Sequence, residues 1–298
     1  MRRGPVPAVD DPRVGLLLAL ADDELILGHR LSEWTGWVPY IEEDLAMSSI
    51  AQDEMAHARV LFGIVSSIDR RDEDRLALGR APEEYRNALL CERPNGDFAF
   101  TLARHWLYDT ADAVRLESLA SSTFAELRDA VAVFRLEERY HLEHARAWFE
   151  RLAGGPVEAR HRFAAALSAA LPDAISVFEP LPEEQALLSD GTLPEPSETL
   201  LGRWLGEAGQ ALDEAGLDYV LSGGAAEPGE MIPTSAGEIA GEERSVLRVP
   251  GVERRDGRWM HAGSFAGAGG RHGRHSEDFA ALWGEMTGLY REHPGARW

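Results

Sequence analysis

Residues 42–59 read EEDLAMSSIAQDEMAHAR, and residues 137–155 read EERYHLEHARAWFERLAGG. Each stretch holds a Glu-x-x-His, Glu54 with His57 and Glu138 with His141. Residues three apart on a helix stand side by side, so each pair shares one helical face. The apolar residues around them keep the helical period: Leu45, Ile50, Leu61 and Ile64 in the first case, Val131, Phe134, Leu142, Ala145 and Trp148 in the second. A single Glu-x-x-His arises often by chance. Two of them, each inside a long amphipathic helix, set the rest of the reading.

Working outward, each pair is preceded by a carboxylate on an earlier helix. Glu24 shares the stripe of Leu27 and Leu31 and lies 30 residues before Glu54 (54 − 24). Asp109 follows Trp106 by one turn and lies 29 residues before Glu138 (138 − 109). Antiparallel hairpins of long helices bring such positions to one height. Two stacked hairpins therefore converge four carboxylates and two imidazoles, the donor set of ferritin-like dinuclear sites. The predicted helices run over about 11–34, 40–69, 97–119 and 124–152. Gly36 to Pro39, Pro94-Asn95-Gly96 and Gly154-Gly155-Pro156 interrupt them.

The expected fold is all-α, a ferritin-like four-helix bundle within a single domain spanning 1–298. Its core occupies about 11–153, and C-terminal helices with an irregular arm follow over about 156–298. Asp69 to Arg75 reads as a charged turn, and Pro82 to Cys91 as a short helical piece. Further helices are expected over Glu158–Leu171, Pro196–Ala215 and Ser276–Glu292. The Gly-rich stretch from Gly223 to Gly273 reads as a long irregular segment, with room for one short strand near Ser245 to Val252.

Anionic oxygens bridge and neutralise two neighbouring cations, and imidazoles complete the coordination. Glu24, Glu54, His57, Asp109, Glu138 and His141 are thus the candidate ligands for a di-iron or dimanganese centre, live or vestigial. The other reading is a buried network in which the same groups satisfy one another, with Arg30, Arg59 and Arg139 as candidate partners. Asp112 is the alternative third-helix carboxylate. His144 reads as a neighbour of the site or a surface residue. Asp53 and Glu137 adjoin ligand candidates and should point about 100° away. His29 and Glu33 read as polar or interface residues, the His272 and His275 pair as solvated, and Trp34, Trp106 and Trp148 as core or interface.

Composition narrows the function classes. The 298 residues carry 30 basic and 51 acidic side chains, a net charge of −21, and every basic one is arginine. That surface repels polyphosphate and argues against nucleic acid. No apolar run approaches the roughly 18 residues of a membrane helix. The Pro-rich stretch from Met1 to Asp11 has no secretory pattern. Cys91 is the only cysteine, so no internal disulfide forms, which suits the cytoplasm.

Five stretches carry a resemblance: LADDELILGHRLSEWTG (20–36), EEDLAMSSIAQDEMAHAR, ERPNGDFAFTLARHWLYD (92–109), EERYHLEHARAWFERLAGG and LYREHPGARW (289–298). With them the chain resembles, over nearly its whole length, the C-subunit family of the multicomponent phenylacetyl-CoA epoxidase. The resemblance implies an accessory helical subunit that packs against a catalytic di-iron A subunit. Further small subunits and an NADPH-dependent flavin and iron–sulfur reductase complete that complex, which epoxidises the aromatic ring of phenylacetyl-CoA. One departure stands out. Some members of the C-subunit family have lost ligand positions, whereas all six here remain capable of binding metal. The competing function is an oxygen-activating di-iron protein in its own right. The long C-terminal segment argues against an iron-storage shell.

Overall fold

The computed structural model describes residues 11–222, 236–239, 242–263, 269–294 and 296. Helices dominate them: α1 (Pro12–Ser32), α2 (Ile41–Asp69), α3 (Glu73–Leu78), α4 (Leu89–Glu92), α5 (Phe98–Leu119), α6 (Ala125–Ala153), α7 (Val157–Ala174), α8 (Glu184–Ser189), α9 (Ser197–Glu214) and α10 (Glu277–Glu292). The mostly helical fold expected of a ferritin-like chain is present. Local chemistry sets the helix ends. Asp11 caps α1 by accepting from the Arg13 amide at 2.9 Å, with Pro12 in the first turn. Asp97 caps α5 by accepting from the Phe100 amide at 2.9 Å. α2 stops at Arg70, which takes the left-handed conformation (φ 66°).

α1, α2, α5 and α6 form the bundle. α1 packs along α2, α5 along α6, and α2 against α6. α1 is buried on almost every side from Val14 to Leu31, because α4 and α8 cover the faces that α2 leaves open. α5 is enclosed in the same way by α7 and α9. Trp106 of α5 stacks on Phe149 of α6 at 4.3 Å, and Phe163 of α7 meets Phe149 edge-on. α2 and α6 each bury one face only. On α2 that face is Glu43, Met47, Ile50, Glu54, His57 and Leu61. Leu45, expected on it, is out of phase and 66% exposed.

Three local expectations are corrected. The Asp69 to Arg75 stretch is only partly a turn, because Asp72 accepts from the Arg75 amide at 3.2 Å and starts α3. Pro82 to Cys91 is not one helical piece. A 3₁₀ turn at Pro82–Glu84 and the single turn of α4 flank extended chain. There Asp22 and Asp23 of α1 capture the amides of Arg86 (2.8 Å) and Ala88 (2.7 Å), which a continuous helix would need for its own bonds.

The third correction concerns Gly223 to Gly273. Its described part contains short strands rather than irregular chain: β1 (Tyr219–Ser222, just before it), β2 (Ala236–Ile239), β3 (Glu242–Ser245), β4 (Leu247–Pro250), β5 (Val252–Arg255) and β6 (Arg258–His261). β1 runs parallel to β4, while β2–β3 and β5–β6 are antiparallel. The strand expected near 245–252 is β4, ended at Gly251 (φ +69°). Asp256 and Gly257 both take positive φ, the requirement of a tight two-residue hairpin between β5 and β6. Trp259 of β6 lies on Gly209 of α9, where a Cβ would sit 2.5 Å from the indole. Residues 223–235, 240–241 and 264–268 lie outside the described residues.

Candidate metal centre

All six candidate ligands are buried. The inward stripe of α2 carries Glu54 and His57, that of α6 carries Glu138 and His141, and Glu24 and Asp109 come from α1 and α5. Donor atoms of Glu24, Glu54, His57 and Glu138 lie within 4.8 Å of one another. His57 Nδ1 is 3.2 Å from Glu24 Oε2 and 3.3 Å from Glu138 Oε1. His141 adjoins the group, with Nδ1 3.3 Å from Glu138 Oε1 and 3.7 Å from Glu54 Oε1. Asp109 is buried nearby but turns to its own helix, with Oδ2 3.2 Å from His105 Nδ1. The structure thus gathers five of the six and leaves Asp109 at the edge.

The outer ring nitrogens hold a crossed pattern that the sequence reading missed. His57 Nε2 of α2 meets Glu137 Oε2 of α6 at 2.8 Å, and His141 Nε2 of α6 meets Asp53 Oδ2 of α2 at 3.3 Å. Asp53 and Glu137 do not point away. Each reaches across to the histidine of the facing helix and orients its ring, which leaves both Nδ1 atoms facing the carboxylates. The 100° offset on their own helices is the offset needed to meet the neighbouring helix.

The supporting network also differs from expectation. Arg30 bonds Glu33 and the Glu92 carbonyl, Arg59 is exposed, and Arg139 bonds Tyr140 at the surface. The buried cation near the cluster is Arg115. It donates to the Tyr108 hydroxyl (2.9 Å), which donates to Glu24 Oε1 (3.3 Å), and it pairs with Asp112 and Asp23. Asp112 is therefore engaged by Arg115 and does not take the place of Asp109. Asp23 is held by a second buried arginine, Arg271, which also donates to the carbonyls of Ala19, Arg86 and Val177. His144 bonds His105 (3.0 Å) and Glu43 (2.9 Å), forming a buried line to Asp109. Three adjacent acids at 22–24 in an otherwise apolar helix were the one sequence signal for this network. Nothing local marked Arg271.

The other residues singled out from the sequence lie elsewhere. His275 is buried against Glu92 (2.8 Å) rather than solvated, and His272 contacts the Pro180 carbonyl. Trp106 is core. Trp34 and Trp148 are half-buried and donate to Thr101 and Glu43. His29 and Glu33 come together with Glu285 of α10 at the surface.

Proximity reshapes the titration of the cluster. Burial works against charge on His57, but Glu138 and Glu24 outweigh it and raise the imidazole to about 11. His141 rises to about 9 against the same burial penalty, through Glu138, Asp109 and Asp53. Burial also works to raise Glu138, yet bonds to His141 and His57 hold it down at about 2. Glu54 goes well above the usual carboxylate range, because burial and the charges of Glu24 and Glu138 disfavour its anion. Burial raises Asp112 to about 8 despite Arg115.

The donor set fits divalent metal. Glu54 Oε2 is buried without a hydrogen-bond partner, among the donor atoms of Glu24, His57 and Glu138. An orphaned acceptor is costly, and one placed among three buried carboxylates and two imidazoles suits a cation. The cluster is packed over: the Phe134 ring lies 4.1 Å from that of His57. Cavities of about 530 Å³ (beside Trp106, Arg146 and Glu207) and about 770 Å³ (beside Arg75, Arg80 and Glu83) have no cluster residue in their walls.

A family model described as phenylacetic acid catabolic protein matches residues 6–226. The C subunit of the 1,2-phenylacetyl-CoA epoxidase of Escherichia coli (strain K12) is 28% identical over 282 residues, covering 94% of this chain and 97% of that protein. Among the described residues, no helix is long and apolar enough to cross a membrane. With its paired Glu-x-x-His helices and a match over most of its length, the chain belongs to the phenylacetic acid catabolic protein family.

Proposed function

We propose that this chain is the accessory, C-type subunit of a multicomponent phenylacetyl-CoA epoxidase. It acts in the cytoplasm in aerobic phenylacetate breakdown, alongside a catalytic di-iron A subunit, further small subunits and an NADPH-dependent reductase. The observation that carries this reading is the nearly full-length likeness to the C subunit from E. coli. The test is reconstitution with the A subunit, small subunits and reductase. Phenylacetyl-CoA-dependent NADPH oxidation should require the A subunit and fall sharply without this chain. Turnover by this chain and reductase alone would overturn the accessory role.

A second reading has its own observation, the orphaned Glu54 Oε2 within a buried group of donors from Glu24, His57 and Glu138. In it Glu24, Glu54, Glu138 and Asp109 supply carboxylate oxygens and His57 and His141 supply Nδ1 to two iron or manganese ions. Bound iron would supply oxygen-activating redox chemistry. The residues around it would fix the rings through Glu137 and Asp53, hold Glu24 through Tyr108, and exclude water with Phe134. Elemental analysis of metal-supplemented protein, beside a Glu54→Ala/His57→Ala variant, checks this. About two metals per chain, lost in the variant, would favour it.

A further inference from the structure

α1 ends in a histidine and a glutamate one turn apart. His29 lies in its last turn, and Glu33, which closes the helix, keeps helical backbone angles (φ −60°, ψ −22°). The i, i+4 spacing therefore puts both side chains on one face. Glu285 of α10 meets that face from 252 residues later in the chain (285 − 33). One donor atom from each of the three lies within 4.8 Å of the others. Two exposed glutamates side by side mark nothing by themselves. The imidazole is what sets this group apart. His29 is half-buried, and its Nε2 is buried without a hydrogen-bond partner. Burying a ring nitrogen with nothing to bond is costly, so the ring has a use for a ligand.

We infer that His29, Glu33 and Glu285 form a surface site for a borderline divalent cation of the zinc class, which fastens α10 to the end of α1. One neutral imidazole nitrogen and two carboxylate oxygens suit zinc and leave a fourth position for water. Glu33 is already aimed. Arg30 donates to its Oε1 at 3.0 Å, and Asn95 donates to its Oε2 at 2.9 Å. Each oxygen keeps a further lone pair for metal, and outer partners of this kind fix a ligating carboxylate. Arg30 offsets one of the two carboxylate charges and leaves the other. The end of α1 adds to it, because the last carbonyls of a helix present the negative pole of its dipole. The helix that gains is α10. It rests on α3, α4 and the 3₁₀ turn at Pro82–Glu84, tied by Arg93 to Asp278 (3.1 Å) and by Trp283 to the Arg80 carbonyl (3.0 Å). Glu285 lies beyond those ties, so metal there secures the following turns. The site shares no residue with the central cluster, and it stands apart from the C-type reading.

The test adds zinc chloride to the metal-free full chain and follows hydrogen exchange along α10. Exchange there should slow about tenfold or more as the site fills, because metal that binds only the ordered helix protects it by mass action. Glu285→Gln changes an exposed position and keeps its shape. Loss of a ligand should raise the zinc needed by at least about tenfold, the least that loss of an outer partner costs. His29→Gln should do the same. Glu277→Gln removes an exposed charge from the same helix and should leave the response unchanged. Magnesium, which takes oxygen ligands and gives up water reluctantly, should not slow exchange at equal concentration. Wild-type exchange along α10 that zinc leaves unmoved would overturn the site, as would a zinc response that Glu285→Gln keeps in full. Equal slowing by magnesium would reduce the effect to screening of exposed acids and overturn it too.

Discussion

Metal binding at the cluster should be strongly proton-linked, and the structure gives the size of the effect. A metal at His57 and His141 must displace the proton each ring carries in the metal-free protein. With His57 at about 11 and His141 at about 9, the competition at pH 7 amounts to four units (11 − 7) and two units (9 − 7). At 1.36 kcal/mol per unit, this weakens apparent affinity by about 8 kcal/mol, on the order of a millionfold relative to deprotonated rings. Between pH 6 and 8.5 the apparent affinity for Mn²⁺ should therefore rise by about two decades per pH unit. Glu54, raised well above its usual range, adds a further proton. Calorimetric titration in buffers of different ionisation enthalpy counts the protons directly. Two or more released per chain, with none in Glu54→Ala/His57→Ala, is the expected result. Binding that releases fewer than one proton, or an affinity flat in pH, would refute the argument that the carboxylates hold both rings protonated.

The same shifts act on stability in the metal-free protein. His57 and His141 are raised from 6.5, so their contribution is complete below about pH 6.5. It is lost as pH climbs through about 9 for His141 and about 11 for His57. Glu138, lowered from 4.5 to about 2, contributes above pH 4.5 and loses that contribution as pH falls toward 2. Urea midpoints should fall from pH 7 to 10, and His57→Gln/His141→Gln should flatten that limb; a wild-type midpoint that rises there would contradict the sign. Arg271→Met should destabilise the chain by about 3 kcal/mol, since it strips Asp23 of one of two buried cations. We propose that the C-terminal elements and the bundle form one unit, so the substitution should also loosen α10. Urea unfolding and hydrogen exchange check this, and a loss under about 1 kcal/mol would count against it.

The helices that carry the site were legible for a common reason. Each is long, amphipathic and bounded by Pro, Gly or Asp, and these are properties of consecutive residues. The boundaries of α2, α5 and α6 fall within a residue or so of those read from periodicity. Apart from β4, allowed for near 245–252, the strands were not legible, because four-residue strands carry no period to read. The break between Pro82 and Cys91 was hidden as well, since its cause is two carboxylates more than sixty residues away.

At the site, spacing alone determined that Glu24, Glu54, His57, Glu138 and His141 would share the inward faces of paired helices. A helix turns every residue by a known angle, so a face follows from a list. Which atoms touch does not follow from it. Asp53 and Glu137 were assigned away from the site on the geometry of their own helices, and the packing of α2 against α6 turned that offset into a contact. Asp109 shared the predicted height, yet a histidine one turn away on its own helix took it. Arg115 and Arg271 became the buried counter-charges because the bundle and the C-terminal turn close on Asp23 from opposite sides. The sequence by itself determined which faces meet. Only the tertiary structure decided which charges pair, because burial ties each one to whatever partner the packing brings within reach.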